Sequence, residues 1–348
     1  MKLLPAARRR HHALDRMIDR ILPGMPGPRR FLFAAAAALA CPTLVLAQPA
    51  YPIKPIRMIV PYPPGGPTDI MGRITAEVLT RRLGETVIID NRGGAATSIG
   101  AELAARAAPD GYTLFVSSET TFAVTPSLNP KLSWDPERDF TPISLLTTQP
   151  YVLGTGLSLP TASVGKLIEY AKANPGKLSY GSAGNGSGNH LAGELFKQAA
   201  GIDMLHVPYK GNGPAITDLI GGQISLMLGS ISSIQPHAAS KKLRVIAVAS
   251  AKRAPGAPDT PTFTESGLPG FQVSGWNAIV APRGAPAAVV KRINAEINAG
   301  FAEPDVTDRL RKQSIEPFTG TPEQLSAHIR AERARFSKLV QAAGLKAE

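Results

Sequence analysis

Beyond about residue 51 the apolar positions fall into short continuous runs that alternate with helical spacing, and this alternation predicts βαβ units. Ile56 to Val60 reads as a buried strand and Pro61 to Pro67 as a rigid loop. Ile70, Ile74, Val78 and Leu79 then line one face of a helix that Gly84 ends. Thr86 to Asp90 is the next strand. A turn at Gly93-Gly94 leads into a helix around Ile99 to Ala107, and Pro109-Asp110-Gly111 turns the chain into a strand from Tyr112 to Val116.

The same grammar restarts near Tyr151 and predicts a second lobe. Strands are expected over Tyr151 to Thr155, Leu178 to Gly181, Met204 to Pro208, Ile224 to Leu228 and Leu243 to Ala249. Helices are expected over Val164 to Ala173, His190 to Ala200 and Ala215 to Ile220. The proline-dense stretch from Ala254 to Pro269 has no periodicity and reads as the path out of that lobe. Trp276 to Ala281 is one more strand, followed by helices opening near Pro286, Pro304 and Pro322, since proline suits a first helical turn. Periodicity does not decide whether those helices return to the first lobe.

Residues 1–47 follow a different rule. Arg29-Arg30, the apolar run Phe31 to Leu46 and the small-residue exit Val45-Leu46-Ala47 make a secretory signal peptide, with cleavage expected after Ala47. Translation could start at Met1 or at Met25. Arg29-Arg30-Phe31-Leu32 loosely matches a twin-arginine signal, whereas Ala38 stands where a lipoprotein box before Cys41 wants leucine. The alanine-rich run is short against the roughly 20 residues of a spanning helix, so no membrane anchor is expected. Cys41 is the only cysteine and lies in the leader, which excludes disulfides and thiolate metal sites from the mature chain.

Hydrophobic residues at 43% and charged residues at 18% allow a sizeable core and exclude disorder. The formal net charge of +12 invites a nucleic-acid partner, but half of it sits in the leader, where eight basic residues face Asp15 and Asp19. The remainder forms no run beyond pairs such as Arg81-Arg82 and Lys241-Lys242, so nucleic acid is not expected. A mild field that attracts anions is.

Three loops each follow a strand and open a helix, aiming backbone N–H groups and the positive helix end at whatever lies between them. In Pro61-Tyr62-Pro63-Pro64-Gly65-Gly66-Pro67-Thr68-Asp69, prolines stiffen the approach, Gly65-Gly66 let a ligand reach the backbone, and Thr68 is the expected N-cap. An ordinary capped turn is the bland alternative. Asp69 either supports the helix start or faces the ligand, in which case a ligand amino group would suit it. The second loop, Gly181 to His190, offers a nest of donors, or is a flexible surface loop. It carries neither a Walker lysine nor G-x-G-x-x-G. In Val207 to Gly213, Lys210 could face a carboxylate beside Tyr209, or be solvated. Trp134 and Trp276 read as packing anchors.

Ser182 or Ser187 with His190 is the one pair that suggests a serine hydrolase, but Tyr180 and Asn185 stand where a G-x-S-x-G elbow needs glycine. His190, His206, His237 and His328 lack metal-ligand spacing. No enzyme, cofactor or metal is expected.

At these loops the sequence resembles the Bug family, the extracytoplasmic substrate-binding components of tripartite tricarboxylate transporters. The likeness runs from Tyr51-Pro52 and Pro55-Ile56 through Pro63 to Asp69, Asn91-Arg92, Pro109 to Tyr112 and Asp139-Phe140. It continues through Tyr180 to Leu191, Pro208 to Gly211, Gly221-Gly222-Gln223 and Pro261-Thr262. The resemblance implies an α/β, two-lobed type II periplasmic-binding fold, each lobe a mainly parallel sheet flanked by helices. One lobe is then 48–151 with 272–348, and the other 152–271. It implies a periplasmic monomer that holds a small carboxylate, an organic acid or amino acid, and delivers it to a two-component membrane permease. An adaptor for a membrane sensor would use the same cleft. The candidate ligand-binding residues are Pro64, Gly65, Gly66, Thr68 and Asp69; Ser182, Gly184, Asn185, Ser187 and His190; and Tyr209 and Lys210. Two departures leave cleft polarity open: Ser225, where the family has Asp after Gly-Gly-Gln, and Gly94-Ala95-Ala96 in place of Gly-Ala-Gly.

Overall fold

Continuous apolar runs become central strands because both sheet faces are covered, and the computed structural model, which describes residues 51–345, shows this from its first element. Strand β1 (Ile56–Val60) is buried except at Arg57, whose guanidinium Nε donates to Asp90 at 2.8 Å. It runs parallel to both β2 (Val87–Asn91) and β3 (Thr113–Ser118). Helix α1 (Pro67–Leu83) crosses between the first two, and Gly84 closes it with a left-handed φ of 84°. Met71, Ile74, Val78 and Leu79 face inward from it. Helix α2 (Ser98–Ala105) crosses from β2 to β3, which leads into a π-helical turn at Thr120–Val124 and a short α3 (Thr125–Leu128).

Strand β4 (Phe140–Thr155) is three times the length expected for it, because its first part alternates Thr, Ser, Pro and Gln with apolar residues and carries no continuous run. Its length joins two sheets. Phe140 to Pro150 pair with β9 (Ser274–Pro282), and Tyr151 to Thr155 pair with β7 (Leu226–Ser230). The second region also contains α4 (Val164–Ala173), β5 (Ser179–Ser182), α5 (Gly188–Ala200), β6 (Leu205–Pro208) and α6 (Asn212–Ile220). Helix α7 (Ile231–Ala239), hidden in sequence by four polar residues and Pro236, precedes β8 (Arg244–Val248). The strand order is β2-β1-β3-β9-β4-β7-β5-β6, with β8 and a short β10 (Glu316–Pro317) also on β4. The outer ladders are parallel as expected, while every ladder made by β4 or β9 is antiparallel, so the sheets are mixed at their junction.

The closing helices are α8 (Ala287–Phe301), α9 (Pro304–Lys312) and α10 (Pro322–Ala342). Ile293, Ile297 and Phe301 of α8 and Leu310 of α9 join Met58 and Leu79 in one core, so these two helices return to the β1 sheet. Complete burial of a side chain of that size contributes roughly 1.5–3 kcal/mol. Helix α10 starts on a capping box between Thr321 and Gln324. Its Leu325 and Ile329 pack with Trp276, and its Phe336 and Val340 pack with Leu191 of α5. The proline-dense stretch covers the second core, where Phe263 and Phe271 meet at a tilt and each packs edge-on against Phe196. The signal peptide expected over 1–47, with Cys41, lies outside the described residues.

Candidate ligand cleft

The first loop presents backbone and keeps its acid inside. Gly66 has extended backbone and caps α1 without a side chain, and Pro67 fills the first helical position, where its missing N–H matters least. Thr68 is therefore not the N-cap. Its Oγ1 accepts from Asn277 Nδ2 at 3.2 Å. Asp69 does not line the cleft: it accepts from the Gly65 N–H at 2.9 Å, Arg73 Nε at 2.8 Å and Asn91 Nδ2 at 2.8 Å. Burial pushes its carboxyl pKa up, but the bonds from Arg73, Gly65 and Asn91 outweigh this and hold it below the ordinary value. Gly65, at φ +90°, occupies a conformation that favours glycine.

The second loop uses its polar side chains to hold itself. Ser182 Oγ lies 2.7 Å from His206 Nε2 and accepts from the Gly184 N–H at 3.1 Å. Ser187 caps α5, taking the His190 N–H at 3.3 Å. His190 Nδ1 accepts from the Gly186 N–H at 3.1 Å, and its ring stacks on His206 with centroids 3.9 Å apart and planes 4° apart. Burial, reinforced by His190, pushes the His206 pKa down to about 4, so that imidazole is neutral at ordinary pH. Asn185 and His190 line a separate cavity with Ala95, Ala96, Leu128 and Trp134. The Ala95-Ala96 departure thus lies at that second cavity, and Ser225 Oγ accepts from the Ser179 N–H at 3.1 Å. At the third loop, Tyr209 O–H donates to Asp218 at 2.7 Å, while Lys210 is exposed and lines the main cleft.

Of the candidates, the structure brings Pro64, Gly66, Thr68 and Lys210 together on one cleft. Gly65, Asp69, Ser182, Gly184, Asn185, Ser187, His190 and Tyr209 shape the loops around it instead of lining it. The starts of α1 and α6 face this cleft through Pro67, Gly211 and Asn212, and α5 contributes Asn189. Positive helix ends and the Lys210 ammonium thereby share one space.

Sequence reasoning missed the residues that come from the strands. Glu119 and Thr120 follow β3, Gln149 and Tyr151 lie where β4 passes between sheets, and Trp276 and Asn277 lie on β9. Glu119 is buried, and it accepts from Tyr151 O–H at 2.8 Å and the Trp276 N–H at 3.1 Å. Burial pushes its pKa up against those two bonds. Gly188 packs on this group, and a Cβ there would stand 2.4 Å from Tyr151 Oη. Thr120 Oγ1 accepts from the Gly188 N–H at 3.1 Å, tying the end of β3 to the start of α5. The signal available in sequence was a run of polar residues, Ser117 to Thr121, at the end of an apolar strand.

Two sheets joined by one long strand, with helix starts converging at their junction, define the two-lobed architecture of a binding protein. The sequence model described as "Tripartite tricarboxylate transporter family receptor" matches residues 71–345, and the chain belongs to that family. The periplasmic binding protein BugD is similar at 36% identity and a TM-score of 0.81, over 86% of this chain and 100% of that one. Rpa4515 of R. palustris, solved with adipate, is 34% identical at a TM-score of 0.83, over 85% and 99% of the two chains. MatC of Rhodopseudomonas palustris, solved with bound malate, is 32% identical at a TM-score of 0.79, over 83% and 100%. The chain is therefore a solute-binding protein of the periplasmic binding type, and no helix among its described residues is long and apolar enough to cross a membrane.

Proposed function

We propose that this protein captures a small carboxylate in the periplasm, between a lobe of residues 48–151 with 272–348 and a lobe of residues 152–271. It then delivers its ligand, as a monomer, to a two-component integral membrane permease. The observation that carries this reading is the convergence of the α1 and α6 starts with Lys210 on one cleft. Backbone N–H groups at helix starts and an ammonium suit a carboxylate. The adipate and malate in two similar structures support the same class of ligand. Pro64, Gly66, Thr68 and Lys210 are the contacts assigned from the three loops, with Asn189 and Asn277 added from α5 and β9. Closure works as a hinge at β4, the strand that passes from one sheet to the other.

A thermal-shift panel of mono-, di- and tricarboxylates tests this, because a ligand at 100 times its Kd adds about 2.7 kcal/mol. At least one acid is expected to raise Tm, and Lys210→Ala is expected to weaken it about tenfold. That variant should leave Tm of the free protein unchanged, since the side chain is exposed. A panel with no stabilising acid overturns the reading.

A further inference from the structure

Among the described residues that line the cleft, one is acidic, Glu119, and one is a basic lysine or arginine, Lys210. Their surroundings differ. Lys210 is exposed, in the turn between β6 and α6. Glu119 is 8% exposed at the end of β3, and neutral donors hold it: Tyr151 O–H at 2.8 Å, the Trp276 N–H at 3.1 Å and, at 3.4 Å, Thr120 O–H.

The Glu119 N–H is a fourth donor, so the roughly four lone-pair sites of an ionised carboxylate face neutral donors alone and its charge is left uncompensated. Among the described residues no cation pairs with it, and the other charge that acts on it is a second acid, Glu332. A buried carboxylate without a counter-ion is costly, and a second carboxylate beside it raises that cost, whereas an ammonium lowers it. Oε1 and Oε2 lie against Gly188 and Gly275, 3.0 and 3.2 Å from where a Cβ would stand, so the absence of side chains at these two glycines makes the room the carboxylate occupies.

We propose that Glu119 is a specificity-determining residue that selects ligands bearing an ammonium group, the ligand's carboxylate lying toward Lys210 and the starts of α1 and α6. This rests on the carboxylate-capture reading and narrows it to zwitterions, in contrast to the adipate and malate of the similar structures.

The test is calorimetry on matched acids that differ only by a 2-amino group: aspartate against succinate, glutamate against glutarate, alanine against propionate and phenylalanine against 3-phenylpropionate. In at least one pair the amino member is expected to bind tenfold tighter or more. Glu119→Gln should bring that ratio below threefold, and Glu119→Asp, which keeps the charge, should retain more of it. Acids that bind as tightly as their amino partners in every pair overturn this inference alone and leave carboxylate capture standing. So does a ratio that survives Glu119→Gln. If no member of any pair binds, this inference falls, and with a silent carboxylate panel capture falls too. Should Glu119→Gln fail to fold, the wild-type ratios and Glu119→Asp still decide.

Discussion

The loops at Pro61 to Asp69 and Gly181 to His190 read alike in sequence, as glycine-rich turns from strand to helix, yet they are built on opposite principles. The first is stiffened by prolines and directs its acid inward to its own backbone, leaving main chain and Thr68 toward the cleft. The second is held by side chains, through the Ser182 contact to His206, the Ser187 cap and the His190–His206 stack. Polar residues in these glycine-rich loops thus serve the scaffold, as Asp69, Ser182 and Ser187 do, as well as the binding face, as Thr68 does. Composition does not separate the two roles, because they use the same residues.

The second loop should be the more sensitive to added bulk, since its helix start is pressed against Glu119 and Tyr151. Gly188→Ala places a methyl 2.4 Å from Tyr151 Oη and 3.0 Å from Glu119 Oε1. Overpacking of this kind costs about 2–3 kcal/mol. Denaturant unfolding should show that loss, and ligand affinity should fall with it because the same displacement moves Asn189 at the cleft. An alanine accommodated below 0.5 kcal/mol would mean that the two loops do not differ in this way.

The first loop should instead be sensitive to charge. Asp69→Asn keeps the shape but cannot accept from Gly65, Arg73 and Asn91 together, at about 1.5–3 kcal/mol for hydrogen bonds to a charged group. Because the folded pKa is lowered, this contribution is present above the ordinary carboxylate range and disappears as pH falls through the folded value. Stability curves of wild type and Asp69→Asn should therefore lie apart at pH 7 and converge in acid. Parallel curves down to pH 2 would show that the carboxylate charge is not what holds the loop.

What could be read in the chain follows the same division. Strands β1, β3 and β8 were legible because both faces are covered and their residues run apolar. The first part of β4 was not, since Ser144, Thr147 and Gln149 interrupt the run although all three are buried. Helix starts were legible from glycine and proline. The cleft floor was not, because Glu119, Tyr151 and Asn277 meet only when β3, β4 and β9 lie side by side, and no spacing along the chain encodes that meeting. Thr68 shows the limit most clearly: a threonine after proline suits a cap, but Gly66 and Pro67 had already set the helix start.

The smallest expected effect isolates the second loop's own cap. Ser187→Ala removes the acceptor of the His190 N–H and should cost about 1 kcal/mol, whereas Ser187→Gly, which relaxes more easily, should cost a few tenths. Neither substitution touches the cleft wall, so the carboxylate that raises Tm in the wild type should raise it by the same increment in both variants. An increment that shrinks with the cap would mean that loop stability and ligand binding are one process in this lobe. Capture would then draw on order in the Gly181 to His190 segment as well as on the groups facing the ligand.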